Sequence, residues 1–148
     1  MPTLAGIRNP PYRGNPAVGH DGLVTLLGSL IYLYVGSDDV PSDVAFYRDH
    51  LGAEVVWHHR AMGTEVAAVR LGEGPLVLLA DHREAPSILP IWSVEDIDAA
   101  QEALERSGWS GPADRVEVPD GPCLLLRDSS GNQIGLLQQV RPGVMDHR

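Results

Sequence analysis

Residues 30–52 decide the fold of this chain, and they read LIYLYVGSDDVPSDVAFYRDHLG. The first six residues are apolar and β-prone, which predicts a strand. Asp38 or Asp39 can cap a following helix, Pro41 suits its first turn, and Gly52 suits its end. The helix has one apolar face, formed by residues at helical spacing, namely Val40, Val44, Tyr47 and Leu51.

The same pattern recurs at residues 89–108, which read LPIWSVEDIDAAQEALERSG. Here the acidic start is Glu95-Asp96 and the stop is Gly108. The apolar helix face consists of Ile97, Ala100 and Leu104. Three strand-like segments follow each copy, at residues 54–60, 65–71 and 75–80 and at residues 115–118, 123–128 and 133–140. A repeat of this kind predicts two similar modules that share one core.

The repeat sets the predicted domain organisation. Residues 30–140 form a single domain of two modules, residues 30–80 and 88–140. Residues 1–29 are rich in Pro and Gly and predict an irregular arm, and residues 141–148 predict a loose tail.

Composition excludes several classes of protein. The formal charge is −9 and lysine is absent, so a basic surface for nucleic acid is not expected. An acidic surface either maintains solubility or attracts a cationic small molecule. Cys123, the only cysteine, lies in an apolar strand and predicts a buried side chain. No apolar run is long enough for a membrane span and no leader is recognisable, so we expect a cytoplasmic protein that does not contact membranes.

Two motifs carry a resemblance to a known family. They are FYRDHLG at residues 46–52 and RDSSGNQIGLL at residues 127–137. Together with the tandem repeat, they resemble the vicinal oxygen chelate superfamily, which includes glyoxalase I, bleomycin-resistance proteins, extradiol dioxygenases and epimerases. The resemblance implies an α+β fold in which tandem βαβββ modules form a curled mixed sheet, a half-barrel cleft, with the helices outside.

The resemblance also implies where a metal would bind. Enzymes of this superfamily hold a divalent metal with His, Gln or Glu from the first and last strands of each module. In this chain those positions fall at Leu30, Leu89, Gly135 and the apolar strand 75–80. Aliphatic side chains and glycine offer no donor atom to a metal. We therefore predict no metal site and no cofactor, as in the superfamily's antibiotic-sequestering members.

Strand alternation predicts which residues line the cleft. Ile31, Leu33 and Val35 are expected to pack on the first helix, so Leu30, Tyr32 and Tyr34 face the cleft. The two tyrosines either form a wall for an aromatic ligand or fill the barrel and bond to neighbours. In the second module Trp92, Ile134 and Leu136 are expected to face the helix. The other predicted cleft residues are Leu89, Ile91, Ser93, Gln133, Gly135 and Leu137.

A histidine pair on the second strand is the one candidate for acid–base chemistry. His58 and His59 point to opposite faces, so one of them could lie in the cleft near Glu65. A His58–Glu65 pair could act as general base and orienter, or the histidines could simply be surface residues. His82 in the linker between modules, and His20 and His147 near the ends, carry little weight.

Three functions remain open. The leading hypothesis is a metal-free small-molecule-binding protein of the bleomycin-resistance type, with an aromatic or cationic ligand in the cleft and a homodimeric state. The second is a lyase or isomerase of the same superfamily that uses His58 and Glu65 or an atypical site. The third is a regulatory module that contacts another protein.

Overall fold

The computed structural model describes residues 26–141. In chain order, its elements are β1 (Leu30–Gly36), α1 (Val40–Leu51), β2 (Glu54–Ala61), β3 (Thr64–Arg70), β4 (Leu76–Ala80), β5 (Ile88–Ser93), α2 (Ile97–Arg106), β6 (Asp114–Val118), β7 (Gly121–Arg127) and β8 (Gln133–Leu137). The order βαβββ occurs twice, as the repeat predicts. The predicted arm and tail lie mostly outside the described residues, and the division into domains stays a prediction.

The eight strands form one open, mixed sheet in the order β2-β3-β4-β1-β5-β8-β7-β6. Within each half, the first strand runs parallel to the last, β1 beside β4 and β5 beside β8. The strands β1 and β5 pair antiparallel at the centre and join the two halves. The predicted α+β fold is therefore confirmed, and the first strand of each module lies in the middle of the sheet.

Both helices cover one face of the sheet, which we call the outer face. Val40 and Val44 of α1 pack on β3 and β4, and Ile97 and Ala100 of α2 pack on β7 and β8. Asp39 caps α1 by accepting a hydrogen bond from the Ser42 amide. The predicted positions of Leu33 and Val35 under α1, and of Trp92, Ile134 and Leu136 under α2, are confirmed.

Two predicted orientations are wrong. Leu51 is 53% exposed at the end of α1 and does not complete the apolar face. Ile31 packs with the residues of the opposite face of the sheet, because the pairing of β1 with β5 shifts by one residue between Leu30 and Tyr32. Such an irregularity turns a side chain to the face that simple alternation does not predict.

The opposite face, the inner face, carries a second core that neither α1 nor α2 covers. Its buried members come from both modules, namely Tyr32, Trp57, Ala68, Leu76, Leu78, Leu89, Ile91, Cys123 and Leu137. Since apolar surface at the centre of an open sheet must be covered by side chains or by a ligand, this face is where a binding site is expected.

The ends of the described region are held by specific contacts. Leu26 and Leu27 pack against the cluster under α2. The Gly28 amide donates to the Ser93 carbonyl, and the Ser93 amide donates to the Ser29 carbonyl. At the other end, Arg141 donates to the carbonyl of Pro119 at 2.8 Å. No helix among the described residues is long and apolar enough to cross a membrane.

Candidate functional site

A cavity of about 430 Å³ opens on the inner face, and we call it the inner cavity. Both modules contribute to its wall. The aromatic residues are Tyr32, Tyr34 and Trp57, the aliphatic ones include Val66, Leu78, Ile91, Val118 and Leu137, and the polar ones include His59, Thr64, His82, Glu117 and Asp120. A concave, mostly apolar site of this volume with a few polar groups is typical of small-molecule sites.

Tyr32 and Asp120 form the most buried polar contact of the inner cavity. The Tyr32 hydroxyl donates to Asp120 Oδ2 at 2.6 Å. Gln139 Nε2 donates to the same oxygen at 3.0 Å. Asp120 is 1% exposed, and its second oxygen, Oδ1, has no hydrogen-bond partner among the described residues. One of the two predicted tyrosines therefore orients a buried carboxylate.

Tyr34 lies further out and has different neighbours. Its hydroxyl is 2.5 Å from Nε2 of His82, and the two rings meet edge to face. The guanidinium carbon of Arg83 lies 5.9 Å from the centre of the Tyr34 ring. Burial raises the pKa of Tyr34, although the charge of Arg83 opposes this effect. The phenol thus keeps its proton at neutral pH.

Trp57 and His59 form a second aromatic wall on β2. Their ring centres are 5.4 Å apart. The register of β2 against β3 shifts between Val55 and Trp57, which brings both Val56 and Trp57 onto the inner face. The buried atoms Trp57 Nε1 and His59 Nε2 have no hydrogen-bond partner among the described residues. These two groups can fix the orientation of a polar ligand.

A wider groove of about 820 Å³, which we call the adjoining groove, borders the inner cavity. The two share the wall residues Tyr34, His82, Ile91 and Val118. The groove adds basic residues, with Arg83 donating to Gln133 Oε1 at 3.2 Å. A ligand in the inner cavity could therefore extend past Tyr34 into this groove.

The structure brings six of the nine predicted ligand-binding residues to these two spaces. Tyr32, Tyr34, Ile91 and Leu137 line the inner cavity, and Leu89 and Gln133 line the groove, as does Ile91. Leu30, Ser93 and Gly135 line neither space.

Local contacts explain why these three residues line neither space. Leu30 precedes the register shift in β1 and pairs with Trp92. The Ser93 hydroxyl instead accepts a hydrogen bond from the Ser29 amide at 2.9 Å, in the segment leading into β1. Gly135 does face inwards, but a Cβ there would meet Ile91 Cγ1 at 3.1 Å and Cys123 Sγ at 3.6 Å, so its neighbours already fill the space.

The predicted His58–Glu65 pair forms, but not in the cavity. His58 Nε2 lies 2.6 Å from Glu65 Oε2, and Arg60 donates to Glu65 Oε1 at 3.0 Å. Glu65 shares the outer face with Ala67, which packs under α1, and neither His58 nor Glu65 lines the inner cavity. The idea that this pair works in the cleft is wrong, because His59, not His58, points inwards.

The pKa of Glu65 is that of a carboxylate paired with basic side chains on the outer face. The hydrogen bond from His58 lowers the pKa of Glu65 despite the opposing effect of burial, and Arg60 lowers it further. Asp81 anchors the same strand by accepting a hydrogen bond from the Glu65 amide at 2.9 Å.

The residues at the centre of the sheet do not fit a divalent metal. Gly135 pairs with Ile91, and Ile91 pairs with Tyr32, so these residues rather than Leu89 and Leu30 surround the centre. From β4, Leu78 faces the same cavity. Of the four, only Tyr32 has a side-chain oxygen. In the part of the chain described, no group of three His, Cys, Asp or Glu side chains could hold a metal ion.

Cys123 packs on the inner face and is no nucleophile. Burial raises the pKa of its thiol to about 11. Since the thiolate is the reactive form, the thiol is inert at neutral pH. The prediction of a buried side chain is confirmed.

Sequence reasoning did not predict several wall residues, among them Asp120, Trp57 and His82, and it left open which of His58 and His59 faces the cleft. Asp120 precedes Gly121, and this Asp-Gly pair has the ordinary signature of a turn. His82 lies in the linker after β4, and only the fold brings it to Tyr34. For Trp57 the signal was hidden by the register shift in β2, which alternation cannot anticipate.

Comparison with known proteins places the chain in a family. A family model described as the Glyoxalase/Bleomycin resistance protein/Dioxygenase superfamily matches residues 29–136. No curated protein matches the sequence significantly.

Several solved structures share the fold. Methylmalonyl-CoA epimerase from Mycobacterium tuberculosis is similar over 82% of this chain and 94% of its own, with 18% identity and a TM-score of 0.64. The Streptomyces coelicolor methylmalonyl-CoA epimerase in complex with 2-nitronate-propionyl-CoA is similar over 78% of this chain and 96% of its own, with 16% identity and a TM-score of 0.62. A hypothetical protein from Bacillus halodurans is similar over 74% and 93%, with 13% identity and a TM-score of 0.61.

At these identities the structures show a shared fold and no more. The family model, however, spans well over half of the chain and includes the first motif and all but the last residue of the second. The tandem βαβββ modules and the open eight-stranded sheet agree with it. This chain belongs to the glyoxalase/bleomycin resistance protein/dioxygenase superfamily.

Proposed function

We propose that this protein binds a small aromatic molecule in the inner cavity without a metal, in the manner of the superfamily's antibiotic-sequestering members. The observation that carries the proposal is the cavity of about 430 Å³ with Tyr32, Tyr34 and Trp57 in its wall. Aromatic side chains provide flat apolar surface together with polar edges, which suits an aromatic ligand.

The polar groups of the cavity wall favour ligand binding over the alternative that the tyrosines only fill the core. Tyr32 is buried and bonded to Asp120, as expected for a residue that fills the core. A cavity nevertheless remains beside it, and Trp57 Nε1 and His59 Nε2 lack partners there among the described residues. Buried polar atoms normally find a partner, so a bound ligand is the natural source of one.

We propose binding without a metal because the side chains at the centre of the sheet lack suitable donor atoms. Leu78, Ile91 and Gly135 occupy the centre of the sheet and carry no donor atom. The Tyr32 hydroxyl already donates to Asp120. The chain's own residues would bind and orient the ligand: the rings stack on it and the unpartnered polar atoms set its direction.

An enzyme of the same superfamily is the second candidate. One observation favours it: Asp120 and His59, both capable of proton transfer, lie in the wall of the same cavity. The solved structures of similar fold include methylmalonyl-CoA epimerases, which are enzymes. Catalysis would depend on these inner-face residues, because His58 and Glu65 lie on the outer face.

A homodimeric state and a cytoplasmic location complete the proposal. The sheet is open, so its edge strands β2 and β6 each have one side without a partner strand among residues 26–141. A second copy could cover such an edge. The single, reduced Cys123 fits a reducing compartment. Light scattering during size-exclusion chromatography gives the mass in solution, and a mass of one chain at all concentrations would contradict the dimer.

The binding test uses Trp57 as a reporter inside the cavity. Substituting Trp92→Phe and Trp109→Phe leaves Trp57 as the sole tryptophan. Acridine, a planar aromatic compound that is uncharged at pH 7.5, should quench its fluorescence and show saturable binding by calorimetry. Tyr34→Ala should weaken acridine binding about tenfold or more, because it removes one wall of the cavity.

The matched control is Phe46→Ala, which removes an exposed ring from α1, outside the cavity. It should leave acridine binding unchanged. Equal affinities of all three proteins for acridine would contradict the assignment of the cavity. Elemental analysis after purification without chelator should give far less than one metal per chain. One Zn, Mn, Ni or Fe per chain would instead favour the enzyme.

A further inference from the structure

Asp120 is the most deeply buried carboxylate among the described residues, at 1% exposure, and it lies in the wall of the inner cavity. It follows β6 in the turn to β7. Its main-chain carbonyl accepts a hydrogen bond from the Arg141 amide at 2.9 Å, which fixes the turn. The carboxylate is therefore held in place by the fold and not by a flexible loop.

The hydrogen-bond partners that the described residues provide for this carboxylate are neutral. The Tyr32 hydroxyl and the Gln139 amide both donate to Oδ2, at 2.6 and 3.0 Å. The other oxygen, Oδ1, is buried and has no partner in the described part of the chain. A charged carboxylate can accept about four hydrogen bonds, so half of its capacity is left over.

The one arginine seen to contact this turn does not neutralise Asp120. The guanidinium group of Arg141 donates to Glu117 Oε1 at 2.7 Å and to the Pro119 carbonyl at 2.8 Å. No salt bridge to Asp120 forms within residues 26–141. A buried carboxylate without an opposite charge is costly, and a cation that enters the cavity would remove that cost.

We infer that Asp120 recognises a protonated nitrogen of the ligand, so that the ligand class is an aromatic molecule that carries an ammonium group, or a protonated aromatic heterocycle. This inference rests on the proposed function of the same cavity. The ammonium or ring N–H⁺ donates to Asp120 Oδ1, while the aromatic body lies against the rings of Tyr34 and Trp57. Aromatic ring faces also attract a cation, which acts in the same direction.

The indole N–H of Trp57 adds a second requirement. This group only donates, and it has no acceptor among the described residues. A ligand that satisfies both groups carries a cationic nitrogen at one point and a hydrogen-bond acceptor at another. The acidic group sets the charge preference, and the indole sets the orientation.

The test compares two ligands of nearly the same shape. 9-Aminoacridine is protonated at pH 7.5, whereas acridine is uncharged at that pH. We expect the wild-type protein to bind 9-aminoacridine about 10- to 100-fold more tightly, as is typical of a charge-assisted hydrogen bond. This comparison needs no variant, so it does not depend on whether a substituted chain folds.

Three variants then locate the preference. Asp120→Asn should remove most of the difference between the two acridines, and its thermal unfolding confirms that it folds. Glu117→Gln tests the competing carboxylate, since Glu117 is also in the cavity wall but is exposed and paired with Arg141. The control for the loss of one negative charge is Asp98→Asn, because Asp98 is an exposed carboxylate that is paired with Arg115 and lines neither the cavity nor the groove. Both of these variants should keep the preference for 9-aminoacridine.

The outcomes separate the two proposals. Equal binding of both acridines to wild type overturns the inference about Asp120 and leaves the binding function standing. Binding of neither compound overturns both proposals. A preference that survives in Asp120→Asn but disappears in Glu117→Gln would assign the cation to the rim and refute the role of Asp120.

Discussion

The two faces of the sheet each bury one carboxylate, and they treat it differently. Glu65 on the outer face is 8% exposed, and His58 and Arg60 each contact one of its oxygens. Asp120 on the inner face is 1% exposed, and among the described residues only neutral donors contact it, both at Oδ2. Within residues 26–141, both oxygens of the outer carboxylate have partners, whereas one oxygen of the inner carboxylate has none.

This difference in pairing distinguishes a carboxylate with a structural role from one that can bind a ligand. A buried charge that is fully paired within its own chain needs nothing further, so its role is to hold strands together. A buried charge with an oxygen left over, in the wall of a cavity, has capacity for a ligand. The sequence analysis favoured Glu65 as a functional carboxylate because it lies close to histidines in the sequence. In the structure, His58 and Arg60 already occupy both of its oxygens, so Glu65 is less available to a ligand than Asp120.

The largest effect on the free energy of unfolding is expected when either of two adjacent leucines of β4, which face opposite sides of the sheet, is replaced by alanine. Leu79 packs in the cluster under α1, and Leu78 lines the inner cavity, with exposures of 1% and 2%. Leu79→Ala should lower the free energy of unfolding by about 4 kcal/mol, because it opens a new void in a closed core. Leu78→Ala should cost about 2 kcal/mol, because it only enlarges an existing cavity.

Urea denaturation of both variants measures the two costs, and the slope of each transition shows whether unfolding stays two-state. The comparison is matched, since residue type, strand and burial are the same. Equal costs would mean that the inner face is as tightly closed in solution as the outer one. That result would remove the structural basis for a binding site.

A smaller effect is expected from Glu65→Gln, and it should depend on pH. The folded-state pKa of Glu65 lies below its usual value of 4.5, chiefly through the hydrogen bond from His58. The stabilisation is therefore present above about pH 4.5 and is lost as the pH falls through the lower, folded-state pKa. At pH 7 the variant should be less stable than wild type, and the difference should shrink towards pH 3.

Asp120→Asn is the contrast to Glu65→Gln. Because it removes a charge that the chain leaves partly unpaired, it should leave the ligand-free protein as stable as wild type at pH 7, or more so. Thermal unfolding across the pH range gives both results in one experiment. If Asp120→Asn were the more damaging of the two, the inner carboxylate would be a structural group.

The framework of the fold could be predicted from the sequence because it depends on local signals. The Asp39 cap, the Gly52 stop and the repeat of the strand–helix pattern are all legible in order along the chain. Strand faces followed from alternation wherever the register was regular, as at Leu33 and Leu136. These features need no knowledge of what lies across the sheet.

The site was only partly predictable because it depends on distant contacts. Tyr32 and Asp120 are 88 residues apart, and Tyr34 and His82 are 48 apart. No local sequence pattern predicts contacts between residues so far apart in the chain. The register shifts in β1 and β2 then turned Ile31 and Trp57 to the inner face, which alternation cannot foresee.

The smallest effect is expected from Gly135→Ala, which tests whether the missing side chain matters to a ligand. A glycine inside a strand can leave room for a ligand or mark a bulge. The pairing of β8 with β5 and β7 is regular around it, and an added Cβ would meet Ile91 Cγ1 at 3.1 Å. Ile91 must move by a few tenths of an ångström to accept the methyl group.

The added methyl group should change the free energy of unfolding by about 1 kcal/mol or less. The close contact with Ile91 is offset because alanine restricts the unfolded chain more than glycine does. Binding of 9-aminoacridine, measured by calorimetry, should stay within about twofold of wild type, because Gly135 lines neither cavity nor groove and its substitution leaves a charged contact unchanged. A tenfold loss would show that ligand reaches the centre of the sheet, and the inner cavity would then extend deeper than its present wall.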